Sequence, residues 1–179
     1  IPTFGEEMLK TCSAGTEHVL QLASSQNAKV LYTSSAEVYG DPQSFPQSED
    51  YCGDVSPVGP RSAYEEGKRY GEALASLFVD KYDVDAKIVR VFNTFGRGMS
   101  PDDTRLIPNF LRRLSRGEKI VIYGDGTQTR THLYIDDLIA GLFRVMEDGG
   151  RGEVYNIGGE KQMTVAELAD LLATLTPLE

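Results

Sequence analysis

The chain has 179 residues, of which 40% are hydrophobic and 25% charged, a composition typical of a globular domain that can bury a sizeable core. Its net charge of −9, without any block of five or more Lys and Arg residues, argues against nucleic acid or an anionic membrane as a partner. There is no run of eighteen apolar residues and no signal-peptide pattern, so we expect a cytoplasmic protein with no membrane partner.

Apolar patterns in the first half alternate between helix and strand. Residues 4–26 carry apolar or small side chains at a helical repeat without an internal proline, which predicts one long helix. The short apolar run at 29–34 predicts a buried parallel strand. A polar loop with several prolines covers 41–60, and the pattern beyond it predicts a helix at 61–82 and a strand at 87–92.

The second half continues the alternation after a loop rich in Gly, Pro and Asp. The predicted elements are a helix at 105–116, an extended segment at 119–123, a turn at 124–128, a helix at 136–147 and a strand at 153–157. Asp136 is the expected N-cap of its helix, and Thr164 with Glu167 fits a capping box at the start of the last helix. Alternating helices and apolar strands imply an α/β fold with a parallel sheet.

Tyr64 and Lys68 lie four residues apart in the second predicted helix, which follows a strand ending near Ser35. Residues i and i+4 share a helix face, so the lysine ammonium would project beside the tyrosine. A phenol with a pKa near 10 is protonated at pH 7, and a cation in a partly desolvated cleft stabilises the phenolate that a proton acceptor requires. Two unrelated residues on a solvated helix are the alternative, and the preceding strand favours the catalytic interpretation.

Ser35 and Glu37 stand where the predicted strand ends. Period-2 alternation would put both side chains on one side of an extended chain, where a hydroxyl and a carboxylate could act together. The alternative is a strand-end cap beside a surface acid.

Two kinds of cofactor motif are missing from the sequence. The two cysteines and two histidines show no metal-ligand spacing, so we predict no metal site. No G-x-G-x-x-G follows a strand, although that pattern lets backbone amides approach a dinucleotide pyrophosphate. We therefore expect the chain to be the second half of a larger domain whose nucleotide-binding half lies upstream of Ile1, and to bind a dinucleotide weakly by itself.

Four segments together carry a resemblance to a known family. They are PQSEDYCGDVSPVGPRSAYEEGKR at 46–69, VRVFNTFGRGM at 89–99, RLIPNF at 105–110 and IYGDGTQTRTHLYIDDL at 122–138. With them the chain resembles, over nearly all its length, the UDP-glucuronate decarboxylases of the extended short-chain dehydrogenase/reductase family. The resemblance implies part of a Rossmann-like doubly wound parallel sheet, a small substrate-binding region at about 94–135 and 158–179, and a homodimer in the full-length parent.

The same resemblance implies roles for individual residues. Ser35, Glu37, Tyr64 and Lys68 would be catalytic, and Tyr64, Lys68 and Thr94 would contact NAD. The UDP-sugar substrate would be bound by Asn93, Arg105, Tyr123, Gln128 and Arg130. Taken singly, Asn93 is also a common turn former and each arginine a common surface residue.

The implied chemistry is a decarboxylation through a 4-keto sugar. Tyr64, as phenolate, removes the 4-hydroxyl proton while hydride passes from C4 to NAD⁺. The ketone is then β to the C5 carboxylate, so CO₂ can leave, and protonation at C5 with return of hydride gives UDP-xylose. Glu37 would handle that proton or a water, and Arg130 would position an anionic part of the substrate.

Several positions depart from the family pattern. Cys12 stands where members have asparagine, Cys52 where they have an aromatic residue, and Gly96-Arg97-Gly98-Met99 where they have GPRM. Ala36 occupies the position of an aspartate in the related dehydratases, and its methyl cannot protonate a leaving hydroxyl. The rival functions are a sugar-nucleotide epimerase or 4,6-dehydratase, which Ala36 and the QSEDY segment disfavour, and a non-catalytic sugar-nucleotide-binding fragment.

Overall fold

A computed structural model describes residues 4–175 of the chain, with helices and strands in alternation. The helices are α1 (Gly5–Lys10), α2 (Thr16–Gln26), α3 (Ser62–Tyr82), α4 (Leu106–Ser115), α5 (Ile135–Asp148) and α6 (Val165–Leu175). The strands are β1 (Val30–Ser35), β2 (Ala86–Val91), β3 (Thr94–Phe95), β4 (Thr129–Thr131), β5 (Leu133–Tyr134), β6 (Val154–Ile157) and β7 (Gln162–Thr164). A π-helical turn at Thr11–Gly15 joins α1 to α2, and a 3-10 turn at Ala36–Tyr39 follows β1.

The main sheet has three parallel strands in the order β1-β2-β6. Val30 pairs with Ala86 at one end of β1, Ser35 pairs with Val91 at the other, and Ile88 of β2 pairs with Val154 of β6. The helices between these strands return the chain to the end of the sheet at which the preceding strand began, as parallel pairing requires. The predicted α/β fold with a parallel sheet is therefore confirmed.

The chain divides into two compact units. Within the described residues, the first unit contains 4–92 and 139–157, and its core is formed by α2, α3, β1 and β2. Its buried side chains are Leu20, Ala23, Ala75, Phe78, Val84, Ala86 and Ile88. The second unit contains 93–138 and 158–175, with Phe110, Val165 and Ala169 buried at its centre. Each unit thus has an apolar cluster of its own.

Several sequence predictions hold with changed details. The long first helix is present but passes through the π-helical turn, and the capping box at α6 is confirmed. Glu167 N donates to Thr164 Oγ1 over 3.0 Å, and Thr164 N donates to Glu167 Oε2 over 2.8 Å. The prediction that Asp136 is an N-cap is wrong, because α5 begins one residue earlier and the Asp136 carboxylate instead pairs with Arg97.

The remaining differences between the predicted and the observed secondary structure concern short segments. Residues 119–123 form no strand, and Ile120 and Ile122 instead pack against the apolar cluster of the second unit. Strands of two or three residues, such as β3 and β5, have too few positions for a period-2 pattern to be recognised. No helix among residues 4–175 is long and apolar enough to cross a membrane.

Candidate active site

Helix α3 lies on strand β1 and brings Tyr64 and Lys68 to one face, as the i, i+4 spacing predicted. The Lys68 ammonium donates to the backbone carbonyl of Thr33 over 2.8 Å. It also lies 5.9 Å from the centre of the Tyr64 ring. A backbone carbonyl of the sheet therefore holds the cation close to the phenol that it would activate.

Ser35 is the last residue of β1 and is buried, with 9% of its surface exposed. Its Oγ accepts a hydrogen bond of 3.2 Å from the backbone N–H of Glu37 and so caps the 3-10 turn. Glu37 lies within that turn, so the expectation of an extended chain with period-2 alternation is wrong. The backbone bond between the two residues nevertheless keeps them adjacent at the end of the strand.

Arg61 holds the Glu37 side chain. Its guanidinium pairs with Glu37 Oε2 and also donates to Glu65 Oε1 over 3.3 Å. Arg61 immediately precedes α3, so the ion pair connects the 3-10 turn to the start of the helix that carries Tyr64. Sequence reasoning missed this residue, although Arg61 lies within the motif quoted for the family resemblance.

Glu72 and Arg90 form a partly buried ion pair between α3 and β2. Arg90 Nη2 donates to Glu72 Oε2 over 2.8 Å, and Arg90 Nε donates to Glu72 Oε1 over 3.0 Å. The side chains are only 12% and 13% exposed. Ser34 of β1 donates to the same carboxylate over 2.5 Å. Glu72 thereby fastens α3 to two strands, one helical turn beyond Lys68.

The surroundings of Arg90 favour its charged form. Burial lowers the pKa of Arg90, but hydrogen bonds to Glu72 and to the Tyr39 hydroxyl outweigh this effect and raise the pKa above its ordinary value. The Tyr39 hydroxyl in turn donates to Asn156 Oδ1 of β6 over 2.8 Å. The only sequence signal for this network was a charged residue inside the apolar run KIVRVF.

The loop at 41–60 is fastened to the same network. Arg90 Nη1 donates to the carbonyl of Glu49 over 2.8 Å. The Glu49 carboxylate accepts from the backbone N–H of Asn156 over 2.8 Å, and the Asn156 amide donates to the carbonyl of Gln47 over 3.0 Å. Glu49, one of the two acidic residues of the QSEDY segment, therefore binds the sheet backbone and restrains the loop that leads into α3.

The residues expected to bind substrate lie in the second unit. The Asn93 carbonyl accepts from the backbone N–H of Leu133 over 2.9 Å, and Thr94 of β3 pairs with Leu133 of β5. Gln128 Nε2 donates to the carbonyl of Tyr123 over 3.1 Å, so these two predicted contacts are neighbours. Arg130 lies in β4, where its side chain is exposed and donates to the Thr129 carbonyl.

Arg105 lies at the N-terminus of α4 and forms an ion pair with Asp103. Its guanidinium donates to Asp103 Oδ2 over 2.6 Å, and this hydrogen bond, with a second one from the Arg105 backbone N–H, lowers the pKa of the Asp103 carboxyl. Asp103 thus orients the arginine, although the Arg105 side chain is still 65% exposed. Joint binding of substrate by these residues and the Tyr64 group stays a prediction.

No group of three or more His, Cys, Asp or Glu side chains that could hold a metal ion occurs among residues 4–175. Cys12 and Cys52 are both free thiols. The NAD contacts predicted for Tyr64, Lys68 and Thr94 likewise stay predictions, as does the homodimer.

A solved structure with a similar fold is UDP-glucuronic acid 4-epimerase from Bacillus cereus, in complex with UDP-glucuronic acid and NAD. It superimposes with a TM-score of 0.80 at 28% sequence identity, covering 96% of this chain and 53% of that chain. The prediction of a partial Rossmann-like sheet is confirmed by this similarity.

Curated relatives are similar over most of this chain. UDP-glucuronic acid decarboxylase 1 of Danio rerio is 41% identical over 167 residues, which are 93% of this chain and 40% of the relative. UDP-glucuronic acid decarboxylase 6 of Arabidopsis thaliana is 42% identical over 167 residues, 93% of this chain and 48% of the relative. The chain thus spans less than half the length of these relatives. The model of the NAD dependent epimerase/dehydratase family matches residues 3–158, and the chain therefore belongs to that family.

Proposed function

We propose that this chain carries the catalytic residues of an NAD-dependent UDP-glucuronate decarboxylase, which forms UDP-xylose and CO₂. The observation that carries the proposal is the position of the Lys68 ammonium, 5.9 Å from the Tyr64 ring on a helix packed against the strand that ends at Ser35. The similarity to curated decarboxylases favours UDP-glucuronate over the substrates of other family members.

Tyr64 accepts the proton of the sugar 4-hydroxyl. Lys68 stabilises the phenolate by its charge, and the Thr33 carbonyl restrains the ammonium so that little reorganisation accompanies proton transfer. The Ser35 hydroxyl donates a hydrogen bond to the sugar 4-oxygen and keeps its proton, while its own oxygen caps the 3-10 turn. These three groups lie in one unit of the chain and come from β1 and α3.

In the proposal, Tyr64, Lys68 and Thr94 would contact the nicotinamide-ribose end of NAD, whereas the sequence has no glycine-rich loop for the pyrophosphate. When bound, NAD would supply a reversible hydride acceptor, so that C4 of the sugar could be oxidised and later reduced again. The 4-ketone formed in this way makes loss of CO₂ from C5 possible.

Glu37 and Arg130 take the remaining polar roles in the proposal. Glu37 handles the C5 proton or a water, with its carboxylate held in place by Arg61. Arg130 positions an anionic part of the substrate, because a guanidinium can bind a carboxylate or a phosphate bidentately. Asn93, Arg105, Tyr123 and Gln128 bind the UDP portion.

A specific observation distinguishes this reaction from dehydration. Ala36 follows Ser35 directly and begins the 3-10 turn, and it carries a methyl at the position where the related dehydratases have an aspartate. Elimination of water from the sugar requires a proton donor for the leaving hydroxyl. Decarboxylation needs no such donor, because the leaving group is neutral CO₂.

The test is product analysis with UDP-glucuronate labelled with ¹³C in its carboxylate. The protein, at its full encoded length and with NAD, should release labelled CO₂ and form UDP-xylose, and total NAD should stay constant. UDP-glucose, which lacks the carboxylate, is the control substrate and should release nothing. Label retained in a 4-epimeric UDP-uronate would replace the proposal by an epimerase. Tight UDP-sugar binding without turnover would favour the binding fragment.

The proposal includes the predicted homodimer as the assembled form. Sedimentation equilibrium of the protein at its full encoded length should give twice the monomer mass, and a monomer at micromolar concentration would contradict this part.

A further inference from the structure

Lys68 lies between two tyrosine rings. Its ammonium is 5.9 Å from the centre of the Tyr64 ring and 5.4 Å from the centre of the Tyr32 ring. A cation within about 6 Å of an aromatic centroid is attracted by the negative face of the ring. Tyr32 therefore contacts the proposed catalytic lysine, although it has no assigned role.

Glycine at position 71 makes room for the Tyr32 ring. A Cβ atom on Gly71 would overlap the Tyr32 phenol oxygen and would lie 2.9 Å from its Cε2. The Tyr32 hydroxyl donates to the backbone carbonyl of Lys68 over 3.4 Å. Glycine inside a helix is less stable than alanine. Gly71 therefore costs helix stability, but it leaves the space that the Tyr32 ring occupies.

The surroundings of Tyr32 keep its phenol neutral. Burial raises its pKa, and the charges of Cys12, Glu72 and Tyr64 raise it further. These titratable groups face it from the π-helical turn and from α3, and the positively charged group nearby is the Lys68 ammonium, 5.4 Å from the ring centre. A phenol that stays protonated presents a neutral ring to the ammonium and does not compete with Tyr64 for the role of base.

We propose that Tyr32 is a positioning residue for Lys68, because its ring keeps the ammonium beside Tyr64. The Tyr32 ring can pack this close to α3 because residue 71 is a glycine. The geometric part concerns only Tyr32, Lys68 and Gly71 and does not depend on the reaction. The kinetic part rests on the proposed function, because it concerns proton transfer to Tyr64.

The geometric part is tested by competitive acetylation of the protein at its full encoded length, without added NAD or substrate. Mass spectrometry of peptides gives the acetylation rate of Lys68 relative to the exposed Lys10. Tyr32→Leu removes the ring, so the relative rate should rise roughly two- to fivefold, in line with the modest strength of cation–π contacts. Tyr32→Phe keeps the ring and should retain the wild-type rate.

Two controls separate positioning from a general loss of packing. Val30→Ala removes volume from the same apolar cluster without touching Lys68 and should leave the relative rate unchanged. Lys81, whose ammonium lies 4.9 Å from the Tyr82 ring, should react equally in all variants. An equal rise in Tyr32→Leu and Val30→Ala, or no rise in Tyr32→Leu, would overturn the proposal.

The kinetic part is tested with the protein at its full encoded length. Tyr32→Leu should lower kcat for decarboxylation with little change in KM and should move the acidic limb of the rate profile to higher pH, while Tyr32→Phe restores both. A wild-type profile in Tyr32→Leu would refute the kinetic part. Complete absence of decarboxylation in the wild type would instead count against the proposed function, and the acetylation result would still decide the role of Tyr32.

Discussion

The proposed functional residues of the two units differ in how strongly neighbouring groups restrain their side chains. In the first unit, Lys68 and Ser35 are fixed by hydrogen bonds to the backbone of neighbouring elements. In the second, the Arg105 side chain is 65% exposed and Tyr123 is 79% exposed, beside turns and short strands. A proton acceptor must be held to within a fraction of an ångström, whereas recognition residues can adapt to a ligand. The contrast agrees with the roles proposed for the two units, proton transfer in the first and substrate recognition in the second.

The largest expected effect follows from removing the proposed base. Tyr64→Phe keeps the ring beside Lys68 but loses the hydroxyl, so decarboxylation should fall roughly 10²- to 10⁴-fold, the usual contribution of general base catalysis. UDP-glucuronate binding, measured by calorimetry, should be retained. Tyr70→Phe, on the same helix but half exposed, is the matched control and should keep wild-type turnover. Wild-type activity in Tyr64→Phe would show that the base is elsewhere.

Breaking the partly buried pair in the first unit should cost far more stability than breaking an exposed pair in the second. Glu72→Ala leaves the Arg90 charge without its anionic partner; such a change costs about 3–5 kcal/mol at fully buried sites, so we expect a loss at the lower end of this range. Asp136→Asn removes the exposed partner of Arg97 and should cost less than about 1 kcal/mol. Urea denaturation followed by circular dichroism gives both values.

The double variant Glu72→Leu/Arg90→Met should recover much of the loss, since it removes both charges. If Glu72→Ala and Asp136→Asn lowered the free energy of unfolding equally, the two units would not differ in how much their ion pairs matter for stability.

Exposed arginines in the second unit should affect affinity rather than folding. If Arg105 contacts the diphosphate, Arg105→Ala should weaken UDP binding roughly 10- to 100-fold, because hydrogen bonds to charged groups contribute about 1.5–3 kcal/mol. Arg116→Ala, at the other end of α4, is the control and should leave the affinity unchanged. Calorimetry at two salt concentrations measures both, and an equal loss in the two variants would mean a diffuse electrostatic effect.

The smallest effect concerns His132 and the pH dependence of stability. Burial, followed by the nearby Arg130 charge, lowers the pKa of His132. The unfolded chain therefore binds this proton at a higher pH than the folded chain, and stability should fall as the pH drops below about 6.5. The loss of stability should level off once the pH is below the pKa of His132 in the folded chain.

Urea denaturation between pH 8 and pH 5 measures this loss. His132→Gln should flatten the profile, whereas His18→Gln, in the first unit, should not. An unchanged slope in His132→Gln would assign the pH dependence to other groups.

The sequence predicted most of the first unit because its signals are local. The helix that carries Tyr64 and Lys68 has a long apolar repeat, and the i, i+4 spacing determines which residues share a face. The turn that contains Glu37 was not predictable, because a strand pattern gives no warning that the chain tightens into a 3-10 turn after Ser35.

Contacts across the fold were beyond the reach of sequence patterns. Thr33 holds Lys68 through its backbone carbonyl, which no residue type reveals. Glu72 and Arg90 are 18 residues apart and meet only because α3 packs across β1 and β2. The family resemblance predicted residues that would contact a substrate, whereas these supporting partners became visible only in the folded chain.

The strand order β1-β2-β6 gives the first unit an uneven resistance to opening. Among the described residues, β2 has a hydrogen-bonded neighbour on each side and carries Arg90, whereas β1 pairs only with β2 and carries Ser35. Amide hydrogens of β2 should therefore exchange with solvent last, after those of β1. A fluctuation that frees the end of β1 would displace Ser35 while Arg90 and the centre of the sheet stay closed. Within the described residues, the end of β1 that carries Ser35 should therefore open at a lower free-energy cost than the centre of the sheet.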